Sequence, residues 1–565
     1  GELNTAVGES AMKGATTGDR NTAVGAYALD AALTAHDNVA VGNEAASAVT
    51  TGANNTAVGS YALRFCTTGT KNTVLGKSAA TNITTGNQNT AVGEVSLANG
   101  TTAYDNSVLG YQSGREITTG HTNTLIGKDA GVNITTGHEN VAIGGIALDA
   151  LTTGNDQVAV GYAALSALTT GARMTAVGYA AGANSTTASD SVFVGYDAGV
   201  QNTTGVQNVA VGSYALDANT TGGNNVAMGL HALGANTDGE HNNAIGSYAL
   251  DANTGGDNNS AFGIHALGAN TTGNNNVAIG QDSLKANTTG GQNVAIGNGA
   301  LKTSTTTSSV VAIGYQAGNN NTGVQNTFVG HEAGYTHTSG TDNVYVGYAA
   351  GYDSTTGYQN VAVGKGALTN VTTGYNNSAI GKHSLTTVTT GHSNTCIGEA
   401  SGALITTGEG NTCLGKAAGL DITTGTNNIT IGEDAGRSNS PSGSITTGSH
   451  NVVLGDNSIA NLFCADTSIS SSDARDKTDV EDFKYGLSWI TALRPVTYRW
   501  DRRTWYGTEE NPKGIPDGSK KRDRIHIGFI AQEAIEVEKK HGYADKKDNF
   551  LIANQDEDDK DPSYG

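Results

Sequence analysis

The chain has 565 residues, of which 79 are glycine and only 15% are charged, and its net charge is -20. An acidic chain without clustered Lys and Arg does not bind nucleic acid through the phosphates, so we expect no nucleic-acid partner. No run of about 18 apolar residues is present and no basic-plus-apolar signal peptide opens the sequence, so we expect no insertion into a membrane.

A tandem repeat runs from Asn4 to Gly455. The pattern Asn-x-Ala-(Val/Ile)-Gly-x-x-Ala-(Leu/Gly)-x-x-x-Thr-Thr-Gly-x-x returns every 17 residues, with one residue dropped before Gly330 and an insertion at residues 437–444, which makes 27 coils. A unit this small buries its apolar side chains only by stacking on its neighbours, so the period predicts an all-β fold, a parallel β-solenoid. We assign residues 1–459 to this shaft.

Two positions of the repeat carry small or apolar residues throughout. The fourth position is apolar in all 27 coils, so we expect it to be the inward core ladder; examples are Val7, Leu75, Ile126, Met228 and Phe262. The eighth position is always Ala or Ser. Because nothing larger is admitted there, we expect close backbone approach, either across a thin coil or along a contact with another chain.

The polar positions predict ladders and turns. Asn fills the first position in 23 coils, where stacked side chains can form an amide ladder and Asn tolerates a left-handed turn. The closing Thr-Gly, as at Gly120 and Gly357, predicts a second turn with glycine at positive φ. Each coil then has two short strands and two turns, and at about 4.8 Å per coil the shaft is a rod on the order of 130 Å long.

The Asn-x-Ala-(Val/Ile)-Gly core resembles the repeats in the β-roll heads of trimeric autotransporter adhesins, and similar repeats are seen in phage tail fibres. The period here is longer than in the adhesin heads. The resemblance implies a homotrimer of parallel β-solenoids. It leaves open the handedness of the coil and whether each chain winds alone or intertwines with two others.

The shaft carries three kinds of side chain that could form a binding or catalytic site: tyrosines, carboxylates and histidines. Tyrosines recur just after the first glycine of the motif, as at Tyr162 and Tyr179, and we expect them to pack on the ring of the next coil; stacking on sugar rings is the alternative. Acidic residues lie at variable turn positions without the pairing that glycoside hydrolysis needs. The histidines fall on different coils, at His231, His265, His331 and His383. We therefore predict no metal site and no cofactor.

Cys396 and Cys413 occupy the same repeat position one coil apart. Stacking places them about 4.8 Å apart, which is close enough for a disulfide. We interpret them as free, packed thiols, because four cysteines in 565 residues do not form a disulfide framework.

The composition changes at residues 471–477. All three tryptophans and four of the five prolines lie beyond this point. Residues 486–493 have apolar residues at helical spacing and stop before Pro495, residues 496–500 alternate as a strand, and residues 525–533 run from a strand into a helix. We assign residues 460–471 to a linker and residues 472–565 to a small α+β domain, which we expect to be incomplete at its C-terminus.

Three motifs in this region resemble the endosialidase-type intramolecular chaperone, a C-terminal auto-processing domain of phage tail spikes and fibres. They are Ser-Asp-x-Arg-x-Lys at 472–477, Leu-Arg-Pro-Val-x-Tyr at 493–498 and Gly-Phe-Ile-Ala-Gln-Glu at 528–533. The resemblance implies a domain that drives trimerisation and then cleaves itself off between Ser471 and Ser472. Ser472 is then the nucleophile on its preceding peptide bond and Lys477 the base.

The residues alone leave another interpretation of Ser472 open. A serine at such a boundary also serves as a helix cap or a linker residue. Two features depart from the family pattern: Asp476 stands where the family has an apolar residue, and the acidic run at 555–561 stands where the family continues into a long helix.

The leading functional prediction is a structural and host-adhesion fibre of a bacteriophage tail. Its partners are two further copies, other tail or baseplate proteins and a host surface receptor, expected to be a glycan, and its location is the virion, outside the cell. The only enzymatic step predicted is a single self-cleavage. The alternatives are a trimeric adhesin of a bacterial surface and a glycan-degrading tailspike.

Overall fold

The structure is a computed structural model that describes residues 1–461, 489, 491–499, 515–521, 523, 525–542, 553–554 and 563–564. The chain divides into two compact units, Gly1–Asn461 and Leu462–Gly565.

The first unit is a parallel β-solenoid with one three-residue strand in each coil. Neighbouring strands pair in parallel, so that Val209 lies opposite Val226 and Val226 opposite Asn243, 17 residues apart. The bounds are β1 Thr5–Val7, β2 Thr22–Val24, β3 Val39–Val41, β4 Thr56–Val58, β5 Thr73–Leu75, β6 Thr90–Val92, β7 Ser107–Leu109, β8 Thr124–Ile126, β9 Val141–Ile143, β10 Val158–Val160, β11 Thr175–Val177, β12 Val192–Val194, β13 Val209–Val211, β14 Val226–Met228, β15 Asn243–Ile245, β16 Ser260–Phe262, β17 Val277–Ile279, β18 Val294–Ile296, β19 Val311–Ile313, β20 Thr327–Val329, β21 Val344–Val346, β22 Val361–Val363, β23 Ser378–Ile380, β24 Thr395–Ile397, β25 Thr412–Leu414, β26 Ile429–Ile431 and β27 Val452–Leu454.

The prediction of two strands per coil is wrong. In the coil that starts at Asn208, the backbone outside β13 forms turns and bends, with positive φ angles at Gly212 (137°), Tyr214 (56°), Leu216 (56°) and Asn224 (59°). These turns still bond from coil to coil, since the amide of Tyr214 donates to the carbonyl of Tyr196 at 2.9 Å. The stack is therefore hydrogen-bonded through its turns as well as its strands.

The core consists of the third, eighth, ninth and twelfth positions of the repeat. In the same coil Ala210, Ala215, Leu216 and Asn219 are all 0% exposed. The eighth position thus lies inside a thin coil, which is the first of the two alternatives predicted for it. An interior this narrow has room for alanine on the strand and one larger side chain beside it.

The prediction that the fourth position forms the core ladder is wrong. Val7 is 58% exposed, Leu75 48% and Met228 41%, and Ile126 and Phe262 are exposed as well. Side chains alternate between the two faces of a strand, so the buried middle residue directs both of its neighbours outward. The second and fourth positions therefore share the outer face of the 27-strand sheet.

The predicted Asn ladder is confirmed. The Asn242 side-chain carbonyl accepts from the backbone amide of Asn259 at 3.0 Å and from its side-chain amide at 3.1 Å, and the Asn259 side-chain amide also donates to the carbonyl of Gly273 at 2.8 Å. Each Asn thus joins two coils and closes its own. None of these asparagines needs a left-handed backbone, because the residue before each of them adopts that conformation instead, as at Asn258 (φ 58°).

The closing glycine of the repeat does not adopt the predicted positive φ. At Gly120 an added Cβ would lie 2.5 Å from the carbonyl oxygen of Gly137 in the next coil. Glycine is needed here because two backbones approach closely, not because the turn is left-handed.

Large residues at the third position are matched by glycine at the ninth. Phe193 fills the interior where most coils have alanine, and Gly199 in its own coil takes the place of the usual leucine. The same pairing recurs at Leu125 with Gly131, at Phe328 with Gly334 and at Tyr345 with Gly351. Phe193 and Phe328 also lie against the glycine at the ninth position of the preceding coil, Gly182 and Gly318, so each large ring fills the space left by glycine in its own coil and in the coil before it.

The second unit is small and mixed. Strands β28 (Val496–Tyr498) and β29 (His526–Gly528) pair antiparallel, helix α1 spans Ala531–Lys540, and β30 (Ala553–Asn554) pairs antiparallel with β31 (Ser563–Tyr564). Trp489, Thr491 and Ala492 are helical. The predicted order of helix, strand, strand and helix is found in the described residues.

Candidate functional site

Two of the three C-terminal sequence motifs lie side by side in the structure. Strand β28 belongs to the motif at 493–498, and its partner β29 leads into the motif at 528–533. The Arg494 guanidinium donates two hydrogen bonds to the Glu533 carboxylate, at 3.0 and 2.5 Å. These bonds hold the pKa of Glu533 below its usual range, because Arg494 stabilises the charged carboxylate. The planar, bidentate pair joins the start of α1 to the segment just before β28.

Helix α1 buries one face within this unit. Ala534, Ile535 and Val537 are buried, and so is Trp489, which is 2% exposed. The Trp489 ring lies 5.0 Å from the ring of His541, whose Nδ1–H donates to the carbonyl of Val537 at 2.8 Å. The unit therefore has a small apolar core of its own beside the two paired motifs.

The predicted cleavage residues Ser471 and Ser472 and the predicted base Lys477 lie outside the described residues. Their roles stay predictions. Asp476, which departs from the family pattern, lies outside the described residues as well.

Tyrosine and histidine rings form columns on the surface of the solenoid. Seven consecutive coils contribute to one column, in which successive ring centroids are 4.9 to 5.5 Å apart: Tyr162, Tyr179, Tyr196, Tyr214, His231, Tyr248 and His265. This agrees with the predicted packing of each ring on the next coil. Sequence reasoning treated His231 and His265 as scattered and missed that they continue the column. The missed signal was the shared 17-residue spacing from Tyr214 through His265.

One histidine is buried inside the solenoid. His337 is 0% exposed; its Nε2–H donates to the carbonyl of Gly340 at 3.0 Å and its Nδ1 accepts from the Ser354 hydroxyl at 3.3 Å. The Ser354 oxygen accepts in turn from the buried Tyr345 hydroxyl at 2.8 Å. This network is satisfied with a neutral ring, and a second proton would place a charge in the buried interior without a carboxylate among these partners. Burial lowers the pKa of His337 to about 4.

The His337 network predicts that the solenoid loses stability in acid. The unfolded imidazole binds a proton below pH ~6.5, whereas the folded one does so only near pH 4, so stability is complete above pH 6.5 and falls between the two values. A difference of this size is worth about 3 kcal/mol at most. We expect His337→Asn, the residue found here in several other coils, to remove this pH dependence in urea unfolding and hydrogen exchange of residues 327–346. An unchanged pH profile would contradict the role assigned to His337.

Among the described residues, no three His, Cys, Asp or Glu side chains cluster closely enough to hold a metal ion. No described helix has the length and apolarity needed to cross a membrane.

Cys396 and Cys413 are free, buried and in register. Burial raises the pKa of the Cys396 thiol.

Residues 472–543 match the family described as Chaperone of endosialidase. The matched residues include all three C-terminal motifs and the Arg494–Glu533 pair. The chain thus carries a chaperone-of-endosialidase domain at its C-terminal end. No curated protein matches the chain.

Proposed function

We propose that this chain is the shaft of a homotrimeric bacteriophage tail fibre whose assembly is guided by its C-terminal domain. The observation that carries the proposal is the combination of 27 in-register coils with a chaperone-of-endosialidase domain beyond the last coil. A β-solenoid with this domain fits a tail-fibre or tailspike-type protein.

The repeat itself explains the need for a chaperone. Strands such as β1, β2, β4 and β6 have the same sequence, Thr-Ala-Val, so a shift by whole coils preserves most ladder contacts. Long-range parallel pairing also forms slowly and exposes strand edges in the meantime. A domain that brings three chains together at one end defines a single register, from which the coils can stack.

The shaft would present its outer surface to other tail or baseplate proteins and to a receptor on the host cell, outside the cell that made it. The aromatic columns support a glycan as the receptor through the ring edges. The ring faces stack on neighbouring coils, but Tyr162 is 53% exposed and Tyr179 49% exposed, so tyrosine hydroxyls can hydrogen-bond sugar hydroxyls. Binding, not turnover, is the proposed role.

Self-cleavage would follow assembly. In the proposed step, Lys477 removes the proton of the Ser472 hydroxyl, and the oxygen attacks the carbonyl carbon of Ser471. The peptide C–N bond breaks, the Ser472 nitrogen takes the proton from Lys477, and water then hydrolyses the ester. The products are a Ser471 carboxylate and a new amino terminus at Ser472. The match to the family from residue 472 onward supports this position for the cut.

The role of the C-terminal unit can be tested by comparing the full chain with a chain that ends at Asn461, the last residue of the solenoid unit. We expect the full chain to give trimeric rods by light scattering and electron microscopy, and the shortened chain to give monomers and aggregates. A Ser472→Ala chain, which keeps its C-terminal unit, is the control for the effect of cleavage. Equal yields of trimer from the full and shortened chains would contradict guidance by this domain.

A further inference from the structure

The outer face of the solenoid sheet has an unusual composition. Two outward positions in each of the 27 strands give 54 side chains, and none of them is charged. At the chain's average of 15% charged residues, about eight would be expected. We call these second and fourth positions of every coil the strand face.

The fourth position is the more apolar of the two. It holds only Val, Ile, Leu, Met and Phe from β1 to β27. These side chains remain open in the single chain, with Leu109 48% exposed, Ile279 40% and Phe262 38%. The second position mixes Val and Ile with Thr, Ser and one Asn, so polarity increases toward that side of the face.

The charged residues lie on the turns instead. There they form ion pairs between adjacent coils, as between Lys77 and Glu94, Lys382 and Glu399, and Lys416 and Glu433. A sheet face that stays in water normally carries polar side chains, and charged residues on it prevent association with other chains. The strand face has polar side chains only at the second position and no charged side chain along the whole solenoid.

We propose that the strand face is the interface between copies of this chain, with three rods packed parallel and in register and the fourth position nearest the common axis. This interface rests on the proposed trimer, and it names the surface through which the three chains associate. With three residues at ~3.3 Å and 27 coils at ~4.8 Å, the face covers roughly 1,300 Å². In a trimer each chain divides this face between two neighbours, about 650 Å² toward each. Each pair of chains then buries about 1,300 Å² in total, which exceeds the ~1,000 Å² that a specific interface needs.

The period of the face identifies its occupant. A partner that covers it from end to end must present apolar side chains at the same coil spacing over more than ~100 Å, which a second copy of this chain does. The chains run parallel because the same C-terminal domain, which gathers the three chains, follows the last coil of each. An antiparallel pair would place these domains at opposite ends.

Paired cysteine substitutions in one coil test the proposal. Ile279→Cys places a thiol on the strand face, and Thr289→Cys places one on an exposed turn of the same coil; both side chains are open in the single chain. We expect the maleimide reaction of Cys at 279 to be at least ten-fold slower than at 289 in the native full-length protein, and equal after denaturation. Mild oxidation should link chains through position 279 and not through position 289, beyond any linkage seen in the parent.

A second pair, Ile143→Cys and Thr153→Cys, asks the same question in the coil of β9, eight coils closer to the amino-terminal end of the solenoid. The parent protein supplies the background. The thiols of Cys66, Cys396 and Cys413 are buried, burial raises the pKa of Cys66 to about 11, and Cys464, which lies outside the described residues, is common to the parent and every variant. Circular dichroism confirms that each variant keeps the parent's β signal before it is labelled.

The mass of the parent in solution separates the two proposals. A monomer overturns both the trimer and the interface. A trimer in which the thiols at 279 and 143 react as fast as those at 289 and 153 overturns the strand-face interface and leaves the trimer standing. Protection at both strand-face positions in a trimer supports both.

Discussion

Replacing Ser472 by alanine is expected to leave the chain whole, whereas the parent divides into fragments of residues 1–471 and 472–565. The reason is that the proposed cut needs the Ser472 hydroxyl as nucleophile, and alanine has none. The difference is all or none, and the intact masses of the two purified proteins measure it directly. Replacing Lys477 by methionine is expected to slow the cut by about 10²-fold or more, the usual effect of losing a general base.

Ser471→Ala is the matched control for this experiment. It changes the neighbouring serine on the other side of the bond and leaves the nucleophile in place, so cleavage should continue. Division of the Ser472→Ala chain at the same bond would show that another group attacks it. A parent chain that stays whole after trimer formation would contradict self-cleavage for this protein.

Moving the large side chain from the third position of one coil to its ninth position, at Phe193 and Gly199, is expected to change the stability of that coil strongly. Gly199→Leu should destabilise its coil strongly, because a Cβ at Gly199 would lie 2.6 Å from the Phe193 ring. The backbone is not the obstacle, since φ is 60° at Gly199 and leucine occupies the equivalent position at Leu216 with φ 56°. Phe193→Ala should cost about 3–5 kcal/mol through the cavity it leaves.

The double variant Phe193→Ala with Gly199→Leu recreates the common coil, in which Ala210 and Leu216 pack together. We expect it to recover most of the loss from either single change, with a coupling energy of about 2 kcal/mol or more. Hydrogen exchange of residues 191–207 is the appropriate measurement, because a long repeat array does not unfold in one step. Additive effects of the two substitutions would show that the positions do not share one volume.

The spacing of the repeats along the sequence predicted which strands of the solenoid pair and in which register. The dropped residue before Gly330 appears as a pairing of Val311 with Thr327, and the insertion at 437–444 appears as a pairing of Ile429 with Val452. The Asn ladder was equally predictable, because a primary amide repeated at one position of a stack has both a donor and an acceptor for its neighbours. In the C-terminal unit, the motifs predicted β28, β29 and the start of α1, but not that Arg494 would pair with Glu533, which is 39 residues away.

The sequence by itself determined the period, the number of coils, the parallel stacking and the polar ladder, because each follows from spacing along the chain. Only the tertiary structure decided which side of each strand faces inward. The third and fourth positions are both apolar in nearly every coil. Alternation along a three-residue strand therefore allows either the third position or the fourth position to face the interior. The width of the coil resolves it. Where the ninth position holds a leucine, the interior has room only for alanine on the strand, so the Val, Ile and Leu side chains of the fourth position lie on the outer face.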